Sequence, residues 1–343
     1  MSSRKQSPGM WRRARRGLFS LVAIAVLALL TVVVANSALL FRITTGGDGT
    51  PTAPLLIAHR GVHQPFDTVG LTNDTCTAAR SLPTDHHYLE NTVPSMRAAF
   101  ALGASVVELD VQLTRDGSLA VFHDWTLDCR TDGSGVTHEA TWSELRLLDI
   151  GYGYTADGGE TYPFRGTGVG MMPRLEDVFE AFPGRSFLIE IKSNDPAVGE
   201  ALVRFFDVHP AWLPAVWGVY GGPRPVSRFA ATHPGVRTFT AGSAIGCLTE
   251  YVKGGWTGRV PGVCTDATVY APVNLTWLLW GWPDRFLSRM RAAGATVVMI
   301  GPHVPGNVGT RGFDDPGLLS RLPPSFDGYI QTDRIELLGP ATR

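Results

Sequence analysis

Ala104–Arg130 reads ASVVELDVQLTRDGSLAVFHDWTLDCR. Two apolar runs within it, Ser105–Val111 and Ser118–Phe122, have the length and composition of buried strands. Each ends in residues that a buried strand avoids: Glu108 and Asp110 close the first, His123 and Asp124 the second. Side chains two apart on a strand point to one side, so Glu108 and Asp110 face the same space. Two carboxylates there repel and resist burial. A cation between them is expected, either an ion-pair partner or a metal.

Moving outward, other apolar runs end the same way. Leu55–Ala58 stops at His59, Arg60 and Gly61, and Phe187–Ile191 carries Glu190 and is followed by Lys192. Further strands are expected at Ala215–Tyr220, Val236–Ala241, Ala295–Ile300 and Gly328–Thr332. Helical patterns lie between, at Val226–Thr232 and Asp284–Ala293, and Pro94 opens a helix that stops at Gly103. Thr141 with Glu144 reads as a capping box for a short helix. About eight strands separated mostly by helices predict the α/β class and a (β/α)8 barrel, whose functional residues sit at the carboxyl ends of the strands.

The chain has 343 residues, 44% of them apolar, and a net charge of −1, which argues against a nucleic-acid binder. Basic residues are nonetheless concentrated in 1–17, at Arg4, Lys5, Arg12, Arg13, Arg15 and Arg16. Leu18–Phe41 then runs without a charge, longer than the about 20 residues that cross a bilayer. The basic flank is expected to stay cytoplasmic, with 18–41 a single-pass anchor, 42–54 a flexible linker and 55–343 an exported barrel domain. A cleaved signal is the competing reading, with Ala35-Asn36-Ser37 as a cleavage site and the domain secreted. The run is longer than the about 7–15 apolar residues of most signals. Cys76, Cys129, Cys247 and Cys264 lie in no metal-ligand spacing, so disulfides are expected in that compartment. Three pairings are open, and Cys76–Cys129 with Cys247–Cys264 is favoured because the first ties the polar insert Val62–Leu89 to the loop after His123-Asp124. Asp149–Met172 is too long for an ordinary connection and reads as a loop over the site. Trp277, Trp280 and Trp282 are either core or a membrane-facing surface.

The strand-end residues converge on one chemistry. Glu108, Asp110 and Glu190 suit a hard divalent cation, Ca²⁺ or Mg²⁺. His59 and His123 suit a general acid and base, and Arg60 and Lys192 suit a phosphate. Together they point to cleavage of a phosphoryl ester.

In order and spacing, His59-Arg60-Gly61, Glu90-Asn91-Thr92, Glu108-Leu109-Asp110-Val111, His123-Asp124, Glu190-Ile191-Lys192, Asp327-Gly328 and Thr332-Asp333 resemble the glycerophosphodiester phosphodiesterase family. That resemblance covers Leu55–Leu338. It implies a TIM-barrel hydrolase holding one metal ion on Glu108, Asp110 and Glu190, with His59 and His123 as acid and base and Arg60 and Lys192 on phosphate. It also implies attack by the glycerol 2-hydroxyl on phosphorus, with a cyclic phosphate that water then opens. Glu90 would orient the His59-Arg60 turn or reach the metal's outer shell. Where the family has a Trp-Thr pair this chain reads Val298-Met299-Ile300-Gly301, so an aromatic wall is expected to be missing. The implied substrate is a glycerophosphodiester, with a lysophospholipid as the alternative that the anchor and tryptophans suggest. A non-catalytic surface binding protein is a third reading, against which stands the complete set of histidines and acids.

Overall fold

The computed structural model describes residues 8–37, 40–41, 43, 53–72, 75–306 and 311–343. The first seven residues of the cytoplasmic segment expected at 1–17, and most of the linker expected at 42–54, lie outside the described residues. Helix α1 (Pro8–Asn36) contains the apolar stretch Gly17–Asn36, none of it buried.

Eight parallel strands form the barrel: β1 (Leu55–Ala58), β2 (Val106–Leu113), β4 (Ser186–Ile191), β5 (Val216–Gly221), β6 (Thr238–Phe239), β7 (Thr268–Pro272), β8 (Thr296–Ile300) and β9 (Tyr329–Thr332). They are ordered β6-β5-β4-β2-β1-β9-β8-β7. β6 and β7 meet across a seam bridged by side chains, with the Phe239 and Tyr270 rings 5.6 Å apart. Outside stand α2 (Val93–Ala101), α4 (Leu175–Ala181), α5 (Pro196–Val208), α6 (Pro223–Thr232), α7 (Ala241–Gly254), α8 (Asp284–Ala292) and α9 (Ile335–Ala341). Their apolar faces pack on the strands' outer sides through residues such as Met96, Phe206, Phe229 and Met290, which removes apolar area from water at about 25 cal/mol per Å². Local chemistry sets the boundaries. Thr92 caps α2 by accepting from the Ser95 N–H, Pro94 occupies its first turn, and Thr141 with Glu144 forms the expected capping box on α3 (Trp142–Leu145).

One strand assignment is corrected. The expected strand at Ser118–Phe122 is β3 (Leu119–Val121), which pairs antiparallel with β2 and lies outside the barrel ring. The eighth barrel strand is β7, which the sequence pattern does not reveal: its apolar run is short and ends in Pro272. The hairpin arises because β2 continues past Val111 to Leu113 and turns back at Gly117, whose φ of 85° suits glycine.

β3 turns Leu119 and Val121 to the main core and Ala120 to a second, smaller one with Leu89, Phe122, Leu145, Tyr154 and Phe164. The loop expected to cover the site, Asp149–Met172, is therefore packed into a satellite body beside the barrel mouth. The Asp149 carboxylate staples it by accepting the N–H groups of Gly151, Gly166 and Gly168. Disulfides join Cys76 to Cys129 and Cys247 to Cys264.

Candidate active site

Strand register brings the acids together. Asp110 is the direct neighbour of Glu190 across β2 and β4, and Glu190 that of Tyr220 across β4 and β5. Oxygens of Glu108, Asp110 and Glu190 lie within 4.8 Å of one another. Glu108 and Asp110 are fully buried. The Tyr220 hydroxyl is 2.8 Å from Glu108 Oε1 and 3.0 Å from Glu190 Oε2. Burial and the Asp110 charge push Glu108 up to about 7. Against its own burial, Asp110 is held well below the usual carboxylate range by Arg60 and Lys192. Asn91 donates to Asp110 Oδ2 at 2.7 Å, but Asp110 Oδ1 is buried and has no hydrogen-bond partner. Lys192 Nζ stands 3.6 Å from it and 3.1 Å from Glu190 Oε2. An orphaned, buried carboxylate oxygen inside a three-carboxylate group is a donor set suited to a hard cation.

The turn after β1 carries the next residues. Ala58 pairs with Thr332, so His59 stands level with Asp333, and His59 Nδ1 lies 2.6 Å from Asp333 Oδ1. His59 Nε2 faces Glu108 Oε2 at 3.8 Å. Burial and Arg60 oppose its protonation, yet Glu108 and Asp333 outweigh them and raise it to about 9. Arg60 donates its backbone N–H to Glu108 Oε2 at 3.0 Å, and its guanidinium reaches Asp110 Oδ2 (3.2 Å) and Glu90 Oε1 (3.0 Å). This costs strain: Arg60 and Asn91 both have left-handed φ, 56° and 58°, and are joined by the Asn91 N–H to Arg60 carbonyl bond. Gly61 follows at φ 79°, with a Cβ there falling 2.5 Å from Ser95 Oγ. On the β3 side, the hairpin returns His123 to the barrel mouth. Its Nδ1 lies 2.6 Å from Asp124 Oδ1, and burial with Arg60 pulls it down to about 4. Each imidazole thus has Nδ1 held by an aspartate and Nε2 left for other work.

Residues 78–228 match the Glycerophosphoryl diester phosphodiesterase family. A glycerophosphodiester phosphodiesterase of Caldanaerobacter subterraneus is 41% identical over 120 residues, covering 34% of this chain and 46% of that protein. One of Bacillus subtilis is 35% identical over 126 residues, covering 35% and 42%. Over these residues the chain is similar to the glycerophosphodiester phosphodiesterase family. It spans less than half the length of these curated relatives. Among solved structures, the glycerophosphoryl diester phosphodiesterase domain of an uncharacterised Mycobacterium tuberculosis protein superimposes with TM-score 0.59 at 17% identity, covering 84% of this chain and 98% of that one. The Oleispira antarctica phosphodiesterase, solved in complex with the product sn-glycerol-3-phosphate, superimposes with TM-score 0.51 at 20% identity, covering 84% and 96%. Those two likenesses are of fold.

All eight expected site residues, His59, Arg60, Glu90, Glu108, Asp110, His123, Glu190 and Lys192, meet at the carboxyl ends of β1, β2 and β4 or beside them. Sequence reading missed the residue that joins them. Arg130, 2% exposed, donates from Nε to Asp124 Oδ2 (2.8 Å) and from Nη1 to Glu90 Oε2 (2.9 Å). It also reaches Tyr154 of the satellite core (2.5 Å) and Thr77 (2.6 Å). Glu90 therefore sits between Arg60 and Arg130, which outweigh its burial and keep it ionised. Asp333 and Tyr220 were also missed as site members; Asp333 stood in the quoted Thr332-Asp333 pair, and Tyr220 ends a strand. An aromatic face is present as well. Phe239 stacks on Tyr220 at 5.1 Å and touches Tyr270, so the rings come from β5, β6 and β7, while Val298 and Ile300 complete the interior from β8.

Proposed function

We propose that this chain is an exported, membrane-anchored phosphoric diester hydrolase. It cleaves glycerophosphodiesters to glycerol phosphate and an alcohol, using one hard divalent cation, Ca²⁺ or Mg²⁺, and two histidines. The observation that carries the reading is the buried three-carboxylate group with an orphaned Asp110 Oδ1, flanked by two aspartate-held imidazoles and two cations. Glu108, Asp110 and Glu190 would hold the metal, which when bound supplies a Lewis acid that balances phosphate charge and acidifies a hydroxyl. The apolar α1 and the two disulfides support export and anchoring.

The chain's own groups divide the proton work. His123, kept neutral by burial and Arg60, accepts at Nε2; His59, kept protonated by Glu108 and Asp333, donates from Nε2. Asp124 and Asp333 fix the tautomers by accepting from Nδ1. Arg60 and Lys192 bring positive charge to the non-bridging phosphate oxygens. The product bound in the Oleispira structure, sn-glycerol-3-phosphate, supports glycerol phosphate as the retained half of the substrate.

The test is release of glycerol 3-phosphate from glycerophosphocholine, compared with release of choline from lysophosphatidylcholine, each with Ca²⁺, Mg²⁺ or chelator. Metal-dependent turnover of the first, abolished in His59→Ala and in His123→Ala, is expected. Cleavage of neither substrate under any metal overturns the reading in favour of a binding protein. Preferential cleavage of the lysolipid favours the second reading, for which the exposed Trp277 near the barrel mouth speaks.

A further inference from the structure

The three tryptophans of the 277–282 segment part company. Trp282 packs against the main core, whereas Trp277 is 76% and Trp280 38% exposed. Trp277 lies in the turn Val273–Leu278 that follows β7, on the catalytic end of the barrel. A further tryptophan, Trp256, is 45% exposed just beyond α7. Single exposed tryptophans are ordinary; Trp256 and Trp280 flank a feature that gives them a common purpose, and Trp277 lies three residues before Trp280.

That feature is the end of α1. The last carbonyls of a helix have no partner within it. Here two arginines of α8 supply the partners: Arg289 donates to the Ala35 carbonyl (2.9 Å) and to Asn36 Oδ1 (3.0 Å), and Arg285 donates to the Ser37 carbonyl (3.1 Å). Cations at a helix carboxyl end also oppose the macrodipole. The clamp reaches two of the tryptophans directly. Arg289 Nη1 bonds the Trp280 carbonyl (3.2 Å), Asn36 Nδ2 bonds the Trp256 carbonyl (2.9 Å), and Trp280 Nε1 donates to the Val252 carbonyl (2.9 Å). The apolar stretch Gly17–Asn36 has 20 residues, which at about 1.5 Å each is about the thickness of a bilayer's hydrocarbon core. Its end, and whatever is fastened there, falls at the headgroup level, where tryptophan partitions because it joins an apolar body to a polar N–H.

We propose that the surface bearing Trp256, Trp277 and Trp280 seats in the headgroup layer of the membrane that α1 crosses, so that the barrel is held against the bilayer. The proposal rests on the anchoring reading above. Arg259, exposed beside this surface, adds a cation suited to anionic headgroups.

The experiment uses the full chain in vesicles of phosphatidylcholine and phosphatidylglycerol, with a lipid dibrominated high on its acyl chains as a short-range quencher of tryptophan fluorescence. Combined Trp256→Phe, Trp277→Phe and Trp280→Phe substitution is expected to remove about half or more of the quenching. Trp277→Phe alone, at an exposed position, is expected to remove a measurable part. Arg285→Gln with Arg289→Gln is expected to lower quenching while the protein stays in the membrane pellet after alkaline carbonate. Retention in the pellet with the same fractional quenching in the triple variant overturns docking and leaves the anchor standing. Extraction of the wild type by carbonate overturns the anchor and docking with it.

Discussion

Arg130 holds two acids, the half-buried Asp124 and the buried Glu90, that themselves hold catalytic candidates: Asp124 sets His123, and Glu90 sets Arg60. Arg130→Met leaves the buried Glu90 and the half-buried Asp124 without this partner, and a loss of about 3 kcal/mol in unfolding free energy is expected from urea denaturation. The linkage has a definite sign. Despite its burial, Glu90 is lowered from 4.5 to about 2 by Arg130 and Arg60, so its contribution to stability is present above pH 4.5 and is lost as pH falls toward 2. Between those limits the wild type should lose more stability than Arg130→Met; equal losses would refute the pairing. For His59 the corresponding substitution is Asp333→Asn, which keeps shape and, with its amide oxygen on the Gly312 N–H, turns an N–H toward the imidazole in place of an acceptor. A fall in kcat of about 100-fold or more, with KM little changed, is expected from steady-state kinetics.

β3 and the insert around it form the element that the sequence least discloses. The polar ends of Leu55–Ala58, Ser105–Val111 and Phe187–Ile191 were legible because a strand that stops at charged residues announces a functional end. β3 carries the same signal, His123-Asp124, yet runs antiparallel, since direction depends on pairing with β2 and not on composition. Arg130 was illegible for a related reason: Glu90, its partner, lies 40 residues earlier in the chain, and only the folded path brings them together. The disulfide Cys76–Cys129 ends beside Arg130 and closes a loop with a separation of 53 residues, against 17 for Cys247–Cys264. Chain-entropy reasoning gives about 4 kcal/mol for the first and about 3 for the second. Thermal melts of Cys76→Ser/Cys129→Ser and Cys247→Ser/Cys264→Ser should therefore both fall, the former further. Only the former should also depress turnover, because it alone borders the Arg130 network.

The molecule as a whole is a barrel whose mouth gathers three neighbouring carboxylates. Metal binding there would relieve repulsion between Glu108, Asp110 and Glu190, so a divalent cation should raise the melting temperature by an amount that grows with its concentration, and Glu108→Gln should blunt that rise. Scanning calorimetry with Ca²⁺, Mg²⁺ or chelator checks both statements. The seam between β6 and β7 bears on the same region. β6 has two residues, and the two strand edges there are joined by the rings of Phe239 and Tyr270 in place of a backbone ladder. Backbone amides flanking that gap lack the mutual protection the other strands enjoy, and proton exchange with deuterated solvent should begin there. Because Phe239 also lies flat on Tyr220, whose hydroxyl touches two of the acids, each such opening loosens the ring of staves at the side nearest those acids. Breathing of the cylinder and occupancy of its mouth are thereby linked, and a bound cation should slow exchange at Thr238 and Phe239 before it slows exchange anywhere else on the wall.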